Sequence, residues 1–340
     1  MSRIAVIGAG AWGTALSIVL GRKGSHRVRL WAREKEVCDS ISGHQVNEMF
    51  LPGHLIPDSV SGTLSLEEAL ADAEIVVSVM PSQHCRKLFE QMRPHIRPAM
   101  LFVSATKGLE ESTLQRMTEV IASVLGPQFK VAALSGPSFA KEAARGDPTA
   151  VAVASSDTNT CEAVQREFSD PGLRVYTNDD VVGVELGGAL KNTIAIAAGI
   201  CDGLGLGHNS VAALITRGLA EITRLVIACG GKQETMSGLA GLGDLVLTCT
   251  GGLSRNRSVG VELGRGRRLP EIIAGMHGMV AEGVFTTQAA VGLALARGIE
   301  MPITEQMHAI LNQGKSPHDA IHDLMTRSAK SETGLYSKMS

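Results

Sequence analysis

A lysine interrupts the longest apolar stretch of the chain. Lys191 stands in the run Gly-Gly-Ala-Leu-Lys-Asn-Thr-Ile-Ala that extends from Gly187 to Ala195. Long charged side chains are seldom fully buried without a partner, so this residue is either a surface lysine whose ammonium reaches water or a functional one. Hydride reduction of a carbonyl builds negative charge on oxygen, which requires a proton donor or a cation already in place. We expect Lys191, held in a dry cleft, to supply both.

Two further charged residues stand in loop-like, Gly-rich surroundings. Lys107 follows a predicted strand, and Gly108 lets the backbone pass close to a ligand. Two lysines that face one oxygen would lower each other's proton affinity, and Asp244 is a candidate to orient and balance them. A helix cap is the alternative role for Asp244, in the sequence Gly-Leu-Gly-Asp-Leu.

A third group of polar residues follows the glycine pair at positions 251 and 252. The segment Ser254-Arg255-Asn256-Arg257 resembles a loop that enters a helix, and it combines a hydroxyl group with two guanidinium groups. Backbone N–H groups at a helix start and guanidinium groups both bind phosphate well. The pattern predicts a phosphate site.

A glycine turn near the start of the chain is typical of dinucleotide binding. The sequence Gly8-Ala9-Gly10-Ala11-Trp12-Gly13 follows a predicted strand and opens a predicted helix. The first glycine permits a tight turn, the second lets the backbone approach a diphosphate, and the third allows the helix to pack closely on the strand. The glycine pattern alone is weak, but the strand, helix and following strand together indicate a nicotinamide cofactor.

The residue after the second predicted strand bears on the choice of cofactor. An NAD-specific site usually places an acidic residue there, whereas this chain has Arg33 after Trp31 and Ala32. A guanidinium can accept a 2′-phosphate and stack on adenine, so we expect NADPH to be used at least as readily as NADH. The adjacent Glu34 argues against strict NADPH specificity, and a solvated strand-end role for Arg33 is the alternative.

Elements that position these residues follow from the hydrophobic pattern of the first half. Short apolar runs alternate with helical patterns there, as in βα units that build a parallel sheet, and ligands gather at the carboxyl ends of such strands. We predict an α/β Rossmann domain with a doubly wound, mainly parallel sheet. The predicted strands are Ile4–Ile7, Val28–Trp31, Ile75–Val79, Leu101–Ser104 and Val131–Ser135, with Ala150–Ala154 and Arg174–Tyr176 as further candidates.

From about Asp179 the pattern changes to long helical stretches rich in Ala, Leu and Gly. We therefore predict two domains: a dinucleotide-binding Rossmann domain at residues 1–182, and an all-α substrate-binding and catalytic domain at residues 183–340. The apolar stretch Ala189–Ile200 is too short and too charged to span a bilayer, so we interpret it as a buried helix.

Composition narrows the class of protein. A chain of 340 residues exceeds what one hydrophobic core usually organises. The formal net charge of -2 gives no global basic field for nucleic acid or a membrane surface. The six cysteines form no CxxC pair and the chain enters an apolar strand at once, which favours reduced core thiols and a cytoplasmic location. His318 and His322 have metal-binding spacing, but without further ligands we expect a surface helix face and no metal.

Together these motifs resemble the bacterial NAD(P)-dependent glycerol-3-phosphate dehydrogenases, in an order that runs through nearly the whole chain. The motifs are Gly8 to Gly13, Thr106-Lys107-Gly108, Ser135 to Ala140, Leu190-Lys191-Asn192, Gly241 to Asp244 and Ser254-Arg255-Asn256. The resemblance implies reversible reduction of dihydroxyacetone phosphate to sn-glycerol 3-phosphate, which supplies phospholipid head groups. It also implies a helical second half and a homodimer.

The same resemblance assigns roles to individual positions. Lys191 corresponds to the proton-exchanging residue, and Lys107 to a second cation shared by substrate and cofactor. The positions expected to bind substrate are Lys107, Gly136, Ser138, Lys191, Asn192, Asp244, Thr248, Ser254, Arg255 and Asn256. The positions expected to bind cofactor are Gly8, Gly10, Ala11, Trp12, Gly13, Arg33, Lys107, Ala140, Arg255, Val280 and Glu282.

Two other functions fit part of the pattern. A dehydrogenase with the same N-terminal domain could act on a hydroxy acid or a sugar nucleotide. A cofactor-binding redox sensor would retain the glycine turn, but it has no need for Lys107, Lys191, Asp244 and the Arg255 segment together.

Overall fold

The computed structural model describes residues 1–276, 281–329 and 331–332. Contacts within the chain divide it into two compact units. The first comprises Met1–Glu110 and Gln115–Glu185, and the second comprises Glu111–Leu114 and the described residues of Leu186–Ser340.

The first unit is built on one large sheet. In the described part of the chain, eight strands lie in the order β10-β9-β8-β7-β6-β1-β2-β5, and β3 pairs with β4 in a separate two-stranded sheet. Neighbours in the large sheet are parallel except β8 and β9, which are antiparallel. The strands are β1 (Ser2–Ile7), β2 (His26–Trp31), β3 (Val46–Asn47), β4 (Leu51–Leu55), β5 (Val60–Thr63), β6 (Ile75–Ser78), β7 (Leu101–Ser104), β8 (Lys130–Ser135), β9 (Thr149–Ala154) and β10 (Leu173–Asn178).

Helices cover both faces of this sheet. Ile4 and Val6 of β1 belong to one buried cluster, and Ala5 and Ile7 belong to another, because successive side chains of a strand point to opposite faces. A strand buried on both faces reads as a continuous apolar run, which is why β1 was predictable. The helices of this unit are α1 (Ala11–Arg22), α2 (Lys35–His44), α3 (Leu66–Leu70), α4 (Cys85–Met92), α5 (Met117–Leu125), α6 (Ala140–Arg145) and α7 (Thr158–Phe168), with 3₁₀ turns at Ser82–His84 and Arg93–His95.

The predicted fold class is confirmed, and all seven predicted strands are present with small differences at their ends. Strands β3, β4 and β5 are not predicted by the hydrophobic pattern of the sequence. Pro52 and Gly53 in β4 and Gly62 in β5 read as turn residues in a sequence pattern. In the structure Gly62 lies inside β5 and packs against α2, since a β-carbon on it would lie 3.1 Å from the Ile41 side chain.

The second unit consists of helices joined by loops, and its described residues contain no β-strand. Helix α8 begins in the first unit and continues into the second. The helices are α8 (Val181–Gly203), α9 (His208–Ala228), α10 (Gln233–Met236), α11 (Asp244–Thr250), α12 (Arg255–Gly264), α13 (Leu269–Ala274), α14 (Glu282–Arg297), α15 (Pro302–Gln313) and α16 (Pro317–Met325), with a π-helical turn at Leu239–Gly243 before α11.

Helix α8 is the apolar helix of the sequence analysis. By length and composition it could cross a membrane, and the bent pair Gln233–Thr250 with Arg255–Gly264 would count as a second candidate among the residues described. However, 89% of the most apolar 18-residue stretch of α8 is buried inside the protein. The core helix of a folded domain can be equally long and apolar. The prediction of a buried helix at Ala189–Ile200 is confirmed.

Candidate active site

The glycine turn has the geometry that a dinucleotide site requires. Gly8 has a φ of +122°, and a β-carbon on it would lie 2.8 Å from the carbonyl oxygen of Val79. Gly13 packs directly on the backbone of Gly8, whereas a β-carbon on Gly10 would meet no atom within 4 Å. The first backbone bond of α1 runs from Thr14 N to Gly10 O, so the preceding N–H groups of the first helical turn have no partner within the helix and can face a ligand. These residues therefore fit a bound dinucleotide.

Three other predicted cofactor positions lie in the same unit. The Trp12 indole N–H is buried and makes no hydrogen bond with the described residues, and Ala140 begins α6. Arg33 is mostly exposed and forms an ion pair with Glu34 Oε1 at 2.6 Å. Its guanidinium is therefore available to a ligand only in competition with its neighbour.

Asn47 is a residue of this unit that the sequence analysis missed. Its side chain is buried and donates hydrogen bonds to Ala9 O and to Thr14 Oγ1, both at 2.8 Å. Asparagine is a common turn residue, so no pattern in the sequence marks this contact.

The structure brings Lys107, Gly136 and Ser138 together. Lys107 follows β7, and its Nζ donates to Gly136 O at 2.8 Å and lies 3.5 Å from Ser138 Oγ. Gly136 follows the adjacent strand β8 and has a φ of +144°, and a β-carbon on it would lie 2.9 Å from Val151 Cα. The carboxyl ends of two neighbouring strands thus place an ammonium group beside a loop that accommodates only glycine at its first position.

In the second unit, Lys191 is buried with an acidic partner. The residue is 6% exposed, its Nζ forms an ion pair with Asp244 Oδ1, and it donates to Thr248 Oγ1 at 2.8 Å. Thr248 Oγ1 in turn donates to Asp244 O at 2.6 Å. The alternative of a solvent-exposed lysine is therefore wrong. Asp244 is 1% exposed and is the first helical residue of α11, whereas Gly243 occupies the N-cap position, so the structure does not place Asp244 at the N-cap.

The two arginines at the start of α12 differ in the hydrogen bonds that their guanidinium groups form. Ser254 caps the helix by accepting from Arg257 N at 3.2 Å, and Arg257 Nη2 donates to Asp202 Oδ2 at 3.0 Å. Arg255 reaches solvent and makes no hydrogen bond with the described residues. The protein around it partly desolvates its guanidinium, which lowers the pKa, and Glu282 opposes this shift. Arg255 is thus the better candidate for an external anion.

Asn192 and Asn256 link three helices of the second unit. Asn256 Nδ2 donates to Asn192 Oδ1 at 2.9 Å, and Gly283 N donates to Asn256 Oδ1 at 2.9 Å. A β-carbon on Gly283 would lie 2.7 Å from Asn192 O, so only glycine fits there. Glu282 begins α14 beside this contact. The predicted cofactor residue Val280 lies outside the described residues.

The two histidines with metal-binding spacing are exposed on α16, His318 in its first turn and His322 in its last. Within residues 1–276, 281–329 and 331–332, no three His, Cys, Asp or Glu side chains are grouped as a metal site would require.

Comparisons with known proteins agree with these two halves. The family model described as NAD-dependent glycerol-3-phosphate dehydrogenase N-terminus matches residues 3–161, and the corresponding C-terminus model matches residues 180–322. The chain is 69% identical to a glycerol-3-phosphate dehydrogenase (NAD(P)+) from Koribacter versatilis, with 98% of this chain and 100% of the relative covered. It is 55% identical to the protein of that name from Acidobacterium capsulatum, with 98% and 100% covered.

A solved structure supports the same assignment. The crystal structure of glycerol-3-phosphate dehydrogenase from Coxiella burnetii superposes with a TM-score of 0.92 at 43% identity, covering 96% of this chain and 99% of the other. The likeness extends across nearly the full length of both chains. The chain therefore belongs to the NAD-dependent glycerol-3-phosphate dehydrogenase family and is an NAD(P)-dependent oxidoreductase.

Proposed function

We propose that this glycerol-3-phosphate dehydrogenase works in the direction that reduces dihydroxyacetone phosphate to sn-glycerol 3-phosphate, with Lys191 as the proton-exchanging residue. The observation that carries the proposal is the buried ion pair between Lys191 and Asp244. The bound nicotinamide cofactor supplies the hydride. The remaining requirements, which are binding, orientation and proton transfer, fall to side chains of the chain itself.

Lys191 is suited to meet a developing alkoxide because its ammonium is buried and held in one place. The residue is 6% exposed, and its Nζ is paired with the Asp244 carboxylate. Thr248 fixes Nζ from a second direction at 2.8 Å. A positioned ammonium that needs no reorganisation stabilises developing negative charge more strongly than one in water. Asp244 and Thr248 therefore orient the proton donor in this proposal.

We assign the substrate phosphate to the start of α12. Arg255 offers a guanidinium that donates no hydrogen bond to a described residue, and the N–H groups of the first helical turn point toward the same end. Asn256 is held between Asn192 and Gly283, so its position is fixed before a ligand arrives. Ser254 acts through its capping bond, which fixes the helix start. The arrangement suits a dianionic phosphate better than a carboxylate, because it presents donors from several directions.

In the first unit, we propose that Lys107 contacts both substrate and cofactor. Its ammonium is aimed at the loop that carries Gly136 and Ser138. The glycine turn binds the diphosphate, and Arg33 contributes to NADPH use while Glu34 limits it. The division of labour proposed is cofactor binding by residues 1–182 and catalysis by residues 183–340.

The cellular context follows from the family and the reaction direction. We propose a cytoplasmic homodimer that supplies glycerol 3-phosphate for phospholipid synthesis. The mechanism proposed above uses no metal ion, because the ammonium group of Lys191 neutralises the negative charge that develops on the substrate oxygen.

One assay tests the proposal. Oxidation of NADH and NADPH is followed by absorbance with dihydroxyacetone phosphate, and with a 2-keto acid and a keto sugar nucleotide as competing substrate classes. We expect turnover with the triose phosphate and identification of sn-glycerol 3-phosphate as the product by a stereospecific enzymatic assay. Faster turnover of another class, or formation of the opposite enantiomer, would contradict the proposal.

A further inference from the structure

The hairpin β3–β4 contains an asparagine whose amide group is fully used. Asn47 is 0% exposed, and its Nδ2 donates to Ala9 O and Thr14 Oγ1 at 2.8 Å each. Its Oδ1 accepts from Phe50 N at 3.1 Å. Both amide hydrogens and the carbonyl oxygen therefore have partners, and no other side chain of this size offers the same donors and acceptor.

Two of these three partners lie in the glycine turn or directly after it. Ala9 lies between Gly8 and Gly10, and Thr14 lies in the first turn of α1. In a trans peptide the carbonyl and the following N–H point in opposite directions, so the bond from Asn47 to Ala9 O turns the N–H of Gly10 away from the hairpin. The space beside Gly10 is open, since a β-carbon there would meet no atom within 4 Å.

The hairpin itself is fixed by contacts that do not involve the glycine turn. Leu51 is 1% exposed and belongs to the buried cluster on that face of the sheet. Ile56 N donates to Gln45 O at 2.8 Å, and Ser40 Oγ donates to Val46 O at 2.9 Å. Asn47 is therefore held in place by the core and by α2, independently of any ligand.

We propose that Asn47 is a positioning residue for the diphosphate of the nicotinamide cofactor. It acts through the Ala9–Gly10 peptide, which it holds with the N–H directed outward, and it does not touch the cofactor. A donor oriented before binding avoids the entropy cost of ordering the turn when the ligand arrives. The inference rests on the proposed use of the glycine turn for the diphosphate, and it is independent of which substrate is reduced.

The test compares cofactor binding by the parent enzyme with that of Asn47→Asp, Asn47→Ala and Ser40→Ala. NADH and NADPH are titrated by fluorescence without substrate. Asn47→Asp keeps the side-chain shape but directs a carboxylate at Ala9 O, whereas Ser40→Ala, the matched control, loosens the hairpin without touching the glycine turn. We expect Kd for both cofactors to rise about ten- to hundredfold in the Asn47 variants. The Gly10 N–H is then no longer held toward the charged diphosphate, and a hydrogen bond to a charged group contributes free energy of that size.

Two further readouts separate positioning from general damage. At saturating cofactor, kcat and the KM for dihydroxyacetone phosphate should stay within about threefold of the parent, because only cofactor binding is affected. Lower pH should partly restore NAD+ binding to Asn47→Asp, because a protonated carboxyl group regains a donor toward Ala9 O.

Unchanged cofactor affinity in both Asn47 variants would overturn the proposal, as would an equal loss in Ser40→Ala. If the Asn47 variants do not fold, Thr14→Val takes their place, because it removes one acceptor of Asn47 Nδ2 and preserves side-chain shape. This variant must then weaken cofactor binding more than Ser40→Ala does, and equal binding overturns the proposal. A parent enzyme that binds NADH but does not reduce dihydroxyacetone phosphate would defeat only the proposed function.

Discussion

Gly260 of α12 packs against Gly199 of α8 so closely that a β-carbon on Gly260 would lie 2.9 Å from the Gly199 α-carbon. One turn further along, Gly264 meets Gly203 in the same way, at 3.0 Å. Each helix thus has two glycines four residues apart, and these glycines allow the backbones of α8 and α12 to approach each other closely. The contact fixes α12, which begins at Arg255, against the helix that carries Lys191. In our interpretation the glycines set the distance between the phosphate site and the proton donor.

The first prediction concerns this contact. Gly260→Ala forces the two backbones apart, and we expect it to lower the free energy of unfolding by about 1–3 kcal/mol, as overpacking does. It should also raise the KM for the triose phosphate, since α12 must move. Thermal unfolding and steady-state kinetics check both effects. Gly43→Ala is the control: its β-carbon would meet nothing within 4 Å on α2, so it should be neutral or stabilising.

The second prediction concerns Lys191. We expect Lys191→Ala to lower kcat on the order of a hundred- to thousandfold, which is the usual effect of removing one positioned electrostatic donor. Cofactor affinity should not change, because Lys191 is assigned to the substrate and to proton transfer and not to the cofactor. Asp244 is left buried without its cation, so some loss of thermal stability is expected as well.

Stopped-flow measurement of the chemical step and NADH titration separate these effects for Lys191→Ala. Lys315→Ala serves as the matched control, because Lys315 pairs with Asp323 at the surface. A folded Lys191→Ala enzyme with near-normal kcat would show that another group exchanges the proton.

The third prediction compares two neighbouring arginines. Arg255→Ala should raise the KM for dihydroxyacetone phosphate about ten- to hundredfold, since it removes a charge-assisted contact with phosphate. Arg257→Ala should have a smaller effect, because that guanidinium is already paired with Asp202 at 3.0 Å in a partly exposed ion pair. Steady-state kinetics of both variants check the order. An equal or larger effect at Arg257 would show that the phosphate is bound elsewhere on the loop.

The fourth prediction concerns cofactor choice. Arg33 pairs with Glu34 at 2.6 Å, and a 2′-phosphate would have to compete with that carboxylate. Glu34→Gln should therefore raise the ratio of kcat/KM for NADPH over NADH, and Arg33→Ala should lower it, each by roughly three- to tenfold for an exposed charge. Substitution of Lys35, whose partner is Asp39, controls for a general change of surface charge. A ratio that does not respond to Arg33→Ala removes this residue from the cofactor site.

The sheet and the position of Lys191 were predictable for the same reason. A strand buried on both faces and a helix buried all round leave continuous apolar runs, so a charge inside such a run stands out. Asp244, the partner of Lys191, was less clearly identified from the sequence, because aspartate is also common at the start of a helix. Contacts such as Asn192 with Asn256, 64 residues apart, depend on how helices pack and leave no periodic mark. Asn47 was missed because an isolated asparagine is typical of a surface turn.

The fifth prediction concerns stability and pH. Glu221 of α9 is 2% exposed and accepts from Ile303 N at 2.7 Å and from Thr304 N at 3.3 Å, so it caps the start of α15 from another helix. Burial raises the pKa of Glu221 from 4.5 to about 7, although these hydrogen bonds oppose the shift. The folded state therefore holds a proton that the unfolded state has lost between those two values. The free energy of unfolding should fall as pH rises through that window, by up to about 3 kcal/mol in total.

Glu221→Gln tests this directly, because the amide keeps one acceptor for the α15 N–H groups and does not titrate. The variant should show a flatter dependence of unfolding free energy on pH between about 4.5 and 7, measured by urea denaturation at several pH values. Glu262→Gln is the control, since Glu262 lies at the surface beside Arg265 and Arg267, which lower its pKa. If Glu221→Gln and the parent lose stability in parallel across this range, another buried group holds the proton, and the carboxylate of Glu221 is ionised throughout.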